Sequence, residues 1–194
     1  MTDEVTICNQ ALTWLGANTI ISLDDVSVEG VFCKTNYAQL RDTVLEEGRW
    51  TFATKRYTLS TKSGTDPDWG FNNRFILPTT WLLVLQARND TEDDDGRSNI
   101  KWSIEDGHLL SDEDTVYVKV IQQVTDPTKF TNTFRQALAA RIGAEGAVPL
   151  TESTAKERLM WQLYGQKLSV AWGLDGSQGS SQRIVNDSLT SKVR

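Results

Sequence analysis

The chain has 194 residues, of which 39% are hydrophobic and 24% charged, with a formal net charge of −6. This mixture is too apolar for general disorder and long enough to close one substantial core without staples. The acidic balance argues against a broad nucleic-acid footprint, which needs concentrated Lys and Arg, and leaves only a local basic patch as an option.

At the start of the chain Val5, Cys8, Leu12 and Leu15 recur at helical spacing, with Thr2 placed to cap and Gly16 to terminate a first helix over 2–16. The opening MTDEVTICNQ has no basic leader followed by an apolar core. After the connector ANTIISLDD, Ser27 is placed to cap a second helix over 28–47, with Cys33, Tyr37, Leu40 and Val44 as its apolar stripe. Cys8 and Cys33 fall on separate helices without ligand spacing and read as free core thiols.

From Thr51 to Val124 the pattern changes to short extended runs, KRYTLS, RFILP, WLLVLQAR, KWSIED, HLLSD and TVYVKVI. Turn formers such as GTDPDWG and EDG separate them, which favours an antiparallel or mixed sheet over a parallel nucleotide fold. The longest apolar run, WLLVL, is far too short to span a bilayer, so a soluble protein of a reducing compartment is expected. Helical periodicity returns at Asp126 and Pro127, read as N-cap and first turn of a helix over 127–147 that presents Phe130, Phe134, Leu138 and Ile142 on one face. VPLT then reads as a breaker, and Thr154 and Glu157 have capping-box spacing for a fourth helix over 154–173. Beyond it lies a polar stretch with few apolar anchors.

The fold class expected is α+β: an antiparallel four-helix bundle, an inserted antiparallel or mixed β-rich region and an extended C-terminal tail. Residues 1–173 form a single domain, helical over 1–50 and 125–173 and β-rich over 51–124, and 174–194 form the tail.

No catalytic constellation accompanies this frame. His108 is the only histidine and has no nucleophile elbow beside it. Asp93, Asp94 and Asp95, and then Asp112, Glu113 and Asp114, are acidic clusters without calcium-loop spacing, and they read as hydrated loops. Gly64 and Gly70, like Gly173, Gly176 and Gly179, lack the context of a phosphate cradle. No catalytic, cofactor-binding or metal-binding residues are therefore assigned. Arg49, Lys55, Arg56 and Lys62 surround Trp50, Phe52 and Tyr57, a pattern open to core packing, to a protein interface or to base stacking. Trp50, Phe52 and Trp69 are carried as candidate interface residues.

Taken in order, ICNQALTWLGANTIISLDD, LEEGRWTFATKRYTLS, RFILPTTWLLVL and TDPTKFTNTFRQALAARIGAEGAVPLT resemble the podovirus tail tubular protein A family, the head-to-tail adaptors or tail gatekeepers of bacteriophages. The resemblance covers nearly the whole chain; it rests on the order of segments rather than on one motif. It implies a non-catalytic virion structural protein forming a ring, typically a dodecamer, that joins the portal protein to the tubular tail nozzle. Genomic DNA passes through the channel on ejection without specific binding, and no membrane is involved. The implied location is the tail or neck vertex of the virion, after synthesis in the host cytoplasm. The resemblance also makes RIVNDSLTSKVR a candidate docking strand, with Arg183, Ile184, Val185, Leu189 and Val193 as contacts. The alternatives are a soluble hydrolase using acidic residues in a β-region cleft and a DNA-binding regulator using the aromatic and basic junction.

Overall fold

The computed structural model describes residues 3–64, 66–91 and 97–178. Its order is α1 (Glu4–Leu15), α2 (Val28–Glu46), a 3-10 turn (Thr51–Ala53), six strands, a second 3-10 turn (Pro127–Lys129), α3 (Asn132–Thr151) and α4 (Thr154–Gly176). The expected mixed α+β class, with a helical bundle and an inserted antiparallel β region, is what the chain adopts.

Local chemistry sets the helix ends. Asp3, not Thr2, starts α1: its carboxylate accepts from the Thr6 N–H and hydroxyl at 2.7 Å each. Those bonds hold the Asp3 carboxyl below the usual aspartate range. Gly16 ends α1 in the left-handed region at φ 66°, a conformation that costs glycine nothing. Ser27 caps α2 through the Gly30 N–H at 3.1 Å. Other boundary expectations are corrected as well. Asp126 and Pro127 do pair as cap and first turn, but of a 3-10 turn; the chain then extends at Phe130, and Thr131 caps α3 five residues later than expected, through the Phe134 N–H at 3.2 Å. Pro149 does not break α3: it lacks the N–H that would bond the Glu145 carbonyl, but it stands three residues before Glu152, which ends the helix at φ 52°. Ser153 rather than Thr154 caps α4, and α4 runs on through Leu174, Asp175 and Gly176 instead of stopping at 173.

Facing pairs define the bundle. Cys8 meets Cys33, so α1 and α2 run antiparallel about their short connector. Phe32 lies against Gly146 while Trp50, just past α2, lies against Phe134 near the start of α3. Lys167 bonds Gln136 at 2.8 Å and Met160 lies against Gly143, so α4 returns antiparallel along α3. α3 is the axis, burying Phe134, Leu138, Ile142 and a run of alanines and glycines that let its neighbours approach closely. Leu15 of α1 packs on Ala144 and Ala147.

The inserted region holds β1 (Thr54–Leu59), β2 (Asn73–Ile76), β3 (Trp81–Arg88), β4 (Trp102–Glu105), β5 (His108–Ser111) and β6 (Val116–Gln122). They form two three-stranded antiparallel sheets, in the orders β1-β6-β3 and β2-β5-β4. Val116, Val118 and Val120 alternate on the inner face of β6 and share a core with Phe75 of β2 and Leu109 of β5. The other face of the first sheet sends Ile121 into the helical core, so one sheet serves both.

Phe134 is fully buried in that helical core. Phe134→Ala is expected to cost about 3–5 kcal/mol in chemical denaturation. Leu159→Ala on α4, at a residue 63% exposed, should stay within about 0.5 kcal/mol of the parent.

Candidate functional site

The segment joining α2 to β1 sits at the centre of the molecule. Trp50 is 0% exposed; its indole N–H donates to the Val44 carbonyl at 2.9 Å, and its ring meets Phe134 edge-on at 4.9 Å. Phe52 lies 5.0 Å from Phe134 and 5.8 Å from Phe130, partly buried in the same aromatic cluster. Of the readings open in the sequence, Trp50 takes core packing, and its place among the candidate interface residues is withdrawn: no face of the ring reaches solvent. Gly48 lets this happen, because a Cβ there would stand 2.6 Å from the Trp50 ring and 2.7 Å from the Trp172 indole nitrogen.

Asp175 closes the junction from α4. Only 5% exposed, its carboxylate accepts from the Thr51 N–H and the Thr51 hydroxyl at 2.8 Å each, capping a 3-10 turn whose own N-cap, Trp50, has no side-chain oxygen to offer. Nearer the middle of α4, Arg141 of α3 bonds Glu47 at 3.3 Å and Glu145 at 3.0 Å and stacks over Trp161 at 4.6 Å. The Tyr164 hydroxyl donates to Glu47, and burial, then that bond, pushes it above the ordinary phenol range. These groups join α2, α3 and α4.

The acidic groups that carried chemical options in the sequence are taken up by local partners. Asp112 accepts from the Asn72 N–H at 3.0 Å, Glu113 from Asn89 at 3.3 Å, and Asp114 pairs with Lys62 at 2.7 Å. Among the described residues no group of three metal-ligating side chains occurs, and Asp93, Asp94 and Asp95 lie outside them. His108 packs beside Arg74, which also pairs with Asp106 at 3.0 Å. Cys8 and Cys33 are free and buried; the hydrogen bond to Cys33 and desolvation push the Cys8 thiol up. The basic cluster divides: strand alternation puts Lys55 and Arg56 on opposite faces of the first sheet, and Lys62 is committed to Asp114.

Apolar side chains reach solvent in several places, among them Leu159, Val170 and Leu174 along α4, and the three most exposed lie in two others. Ile21 and Val26, in the connector between α1 and α2, are 94% and 95% exposed, at the end of the bundle remote from the sheets, with Val28 and Val31 beside them. In the β region Trp69 stands 87% exposed on the β1–β2 loop, over a cavity of about 250 Å³ lined by Phe71, Arg74 and Leu110. Sequence reading missed the connector, because short β-branched runs between helices look like buried punctuation. Arg183, Ile184, Val185, Leu189 and Val193 lie outside the described residues. No protein-family model matches the chain, and no curated protein matches it either.

Asp175→Ala removes the carboxylate that caps the turn at Thr51 and is expected to cost about 0.5–2 kcal/mol in urea unfolding. Combined with Thr51→Ala the two losses should be clearly non-additive, as expected of partners in one contact. Trp69→Ala should leave the unfolding midpoint in place.

Proposed function

We propose that the chain is a non-catalytic structural component of a phage virion, forming a ring that joins the portal vertex to the tail nozzle around a channel for DNA. The observation that carries this reading is the pair of exposed apolar sites, Ile21 and Val26 on the bundle turn and Trp69 in the β region. Side chains this apolar and this accessible, at two separate places on one chain, suit a protein gripped by neighbours on more than one side. The four resembling segments support it: in order they supply α1 with its connector, the α2–β1 junction, β2 with β3, and the turn leading into α3. The helical bundle with a β insertion between its second and third helices also agrees with the architecture that the resemblance implies.

In this reading each contact between copies is modest, and closure of the ring makes the assembly stable, because loss of one contact leaves its neighbours in place. The residues after Gln178 carry the docking role toward the portal, with Ile184, Val185, Leu189 and Val193 entering pockets and backbone amides giving direction. Since α4 runs to Gly176 and Gln178 reaches the Thr51 hydroxyl at 3.4 Å, the docking segment begins after Gln178 rather than at 174.

Images of the purified particle neck are the direct test: they should show a ring of this chain between portal and nozzle, and its absence from purified virions overturns the assignment. A chain ending at Gln178 is expected to unfold at the parent's midpoint yet lose capture by the portal protein in a pull-down; equal capture removes the docking role. Val26→Asp should leave the subunit's stability within about 0.5 kcal/mol and abolish ring assembly in sedimentation.

A further inference from the structure

The outer face of the first sheet, the one turned away from the second sheet, gathers cations that lie far apart in the sequence. Register sets Arg56 of β1 directly opposite Lys119 of β6, with Gln86 of β3 on Lys119's other side; Arg88 stands opposite Tyr117 one step toward the sheet tip. Arg49 joins at the root, where it lines a cavity of about 360 Å³ with Arg56, Gln86 and Lys119. Those same three residues also line a second cavity of about 680 Å³ that extends to Arg88 and Tyr117. The two concavities are thus continuous, and among the described residues Asp90 is the one carboxylate lining them, paired with Arg88 at 2.9 Å.

This arrangement runs against two expectations. A chain of formal charge −6 concentrates four cations on one small face. Like charges directly opposite across strands are also destabilising, and Arg56 and Lys119 are such a pair. Arg56, Arg88 and Lys119 are each engaged within the chain as well, so an incoming anion competes for them and affinity is modest.

From this we infer that the face is a track for a phosphodiester backbone. Its cations fall in three tiers from root to tip, Arg49, then Arg56 with Lys119, then Arg88. Tiers two residues apart along a strand are separated by about 6.7 Å, which is comparable to the repeat of successive phosphates on an extended nucleic-acid strand. A row of charges selects a polyanion over a single free phosphate. Three guanidiniums carry donors suited to phosphate oxygens, that of Arg88 only in exchange for Asp90 and the Arg97 carbonyl; Gln86 adds an amide, and Tyr117 on the same face offers a ring to a base. Nothing in the track reads base edges, so binding is independent of sequence and falls steeply with salt. The inference goes beyond the ring reading and does not rest on it, since the site lies within one subunit.

The test uses the full chain and a short fluorescein-labelled single strand of mixed sequence, followed by anisotropy across a salt series. Binding at low salt is expected, with a log–log salt slope of about −2, as for roughly three phosphates neutralised on a single strand. The double variant Arg56→Gln with Lys119→Gln, which removes the middle tier, should bind at least tenfold more weakly and flatten the slope by about 0.7. Lys34→Gln, on α2 and paired with Asp24 at 2.8 Å, should change nothing. Urea midpoints of all variants check that they fold. No binding at low salt overturns the inference, as does unchanged binding by the double variant. Polyglutamate displacing the strand more effectively than unlabelled DNA would make the face an acidic-peptide surface and overturn it too, and inorganic phosphate competing as well per anion would reduce the track to a point site. A subunit that binds DNA through these residues while particle images show no ring leaves this inference standing and removes the other.

Discussion

The architecture depends on one buried indole. Trp50 fills the space where α2 ends, β1 begins and α3 starts, and its N–H is satisfied by Val44, in the helix it has just left. A tryptophan can be buried that completely only where its polar edge finds a partner, and here the partner is a carbonyl near the C-terminal end of α2, where helix carbonyls are otherwise unsatisfied. The same residue thereby terminates one element and seats two others. Gly48 keeps the space open for it, and Phe52, Phe130 and Phe134 pack around it at aromatic contact distances. The helices and the sheets are consequently joined through a shared core rather than by a linker.

Periodicity made much of the fold legible. All six extended runs became strands, because alternation and turn formers are local signals, and the apolar stripes of α1 and α2 pointed to the faces they bury. The errors sit at boundaries where a distant residue decides. Leu174 and Gly176 look like a turn in sequence, but Asp175 between them bonds Thr51 across 124 positions, and that contact keeps the last turn of α4 folded. Pro149 looked like a stop because its position relative to the helix end is not a local property. Trp50 and Trp69 show the limit for sites. Both are tryptophans beside turn residues, yet one is wholly enclosed and the other almost wholly bare, a difference that only packing can make. The row of cations was less legible still: Arg56 and Lys119 are paired by sheet register, which sequence distance conceals.

The surface divides its labour by chemistry. Apolar side chains are exposed on the bundle's remote turn, on the β1–β2 loop and along α4, while cations collect on one sheet face and Asp112, Glu113 and Asp114 are taken up by bonds to a backbone amide, Asn89 and Lys62. Assembly and passage of a polyanion both fit this distribution, and neither requires a proton to be moved.

The tie between Asp175 and Thr51 also has a mechanical meaning. A pull applied beyond Gln178 enters the subunit where α4 ends, and there the first bonds it loads are those of a buried carboxylate to the root of β1. Tension is therefore handed from the end of the last helix to the first strand across a few ångströms, without having to unzip α4 turn by turn. Whatever holds the end of this chain also holds its sheet.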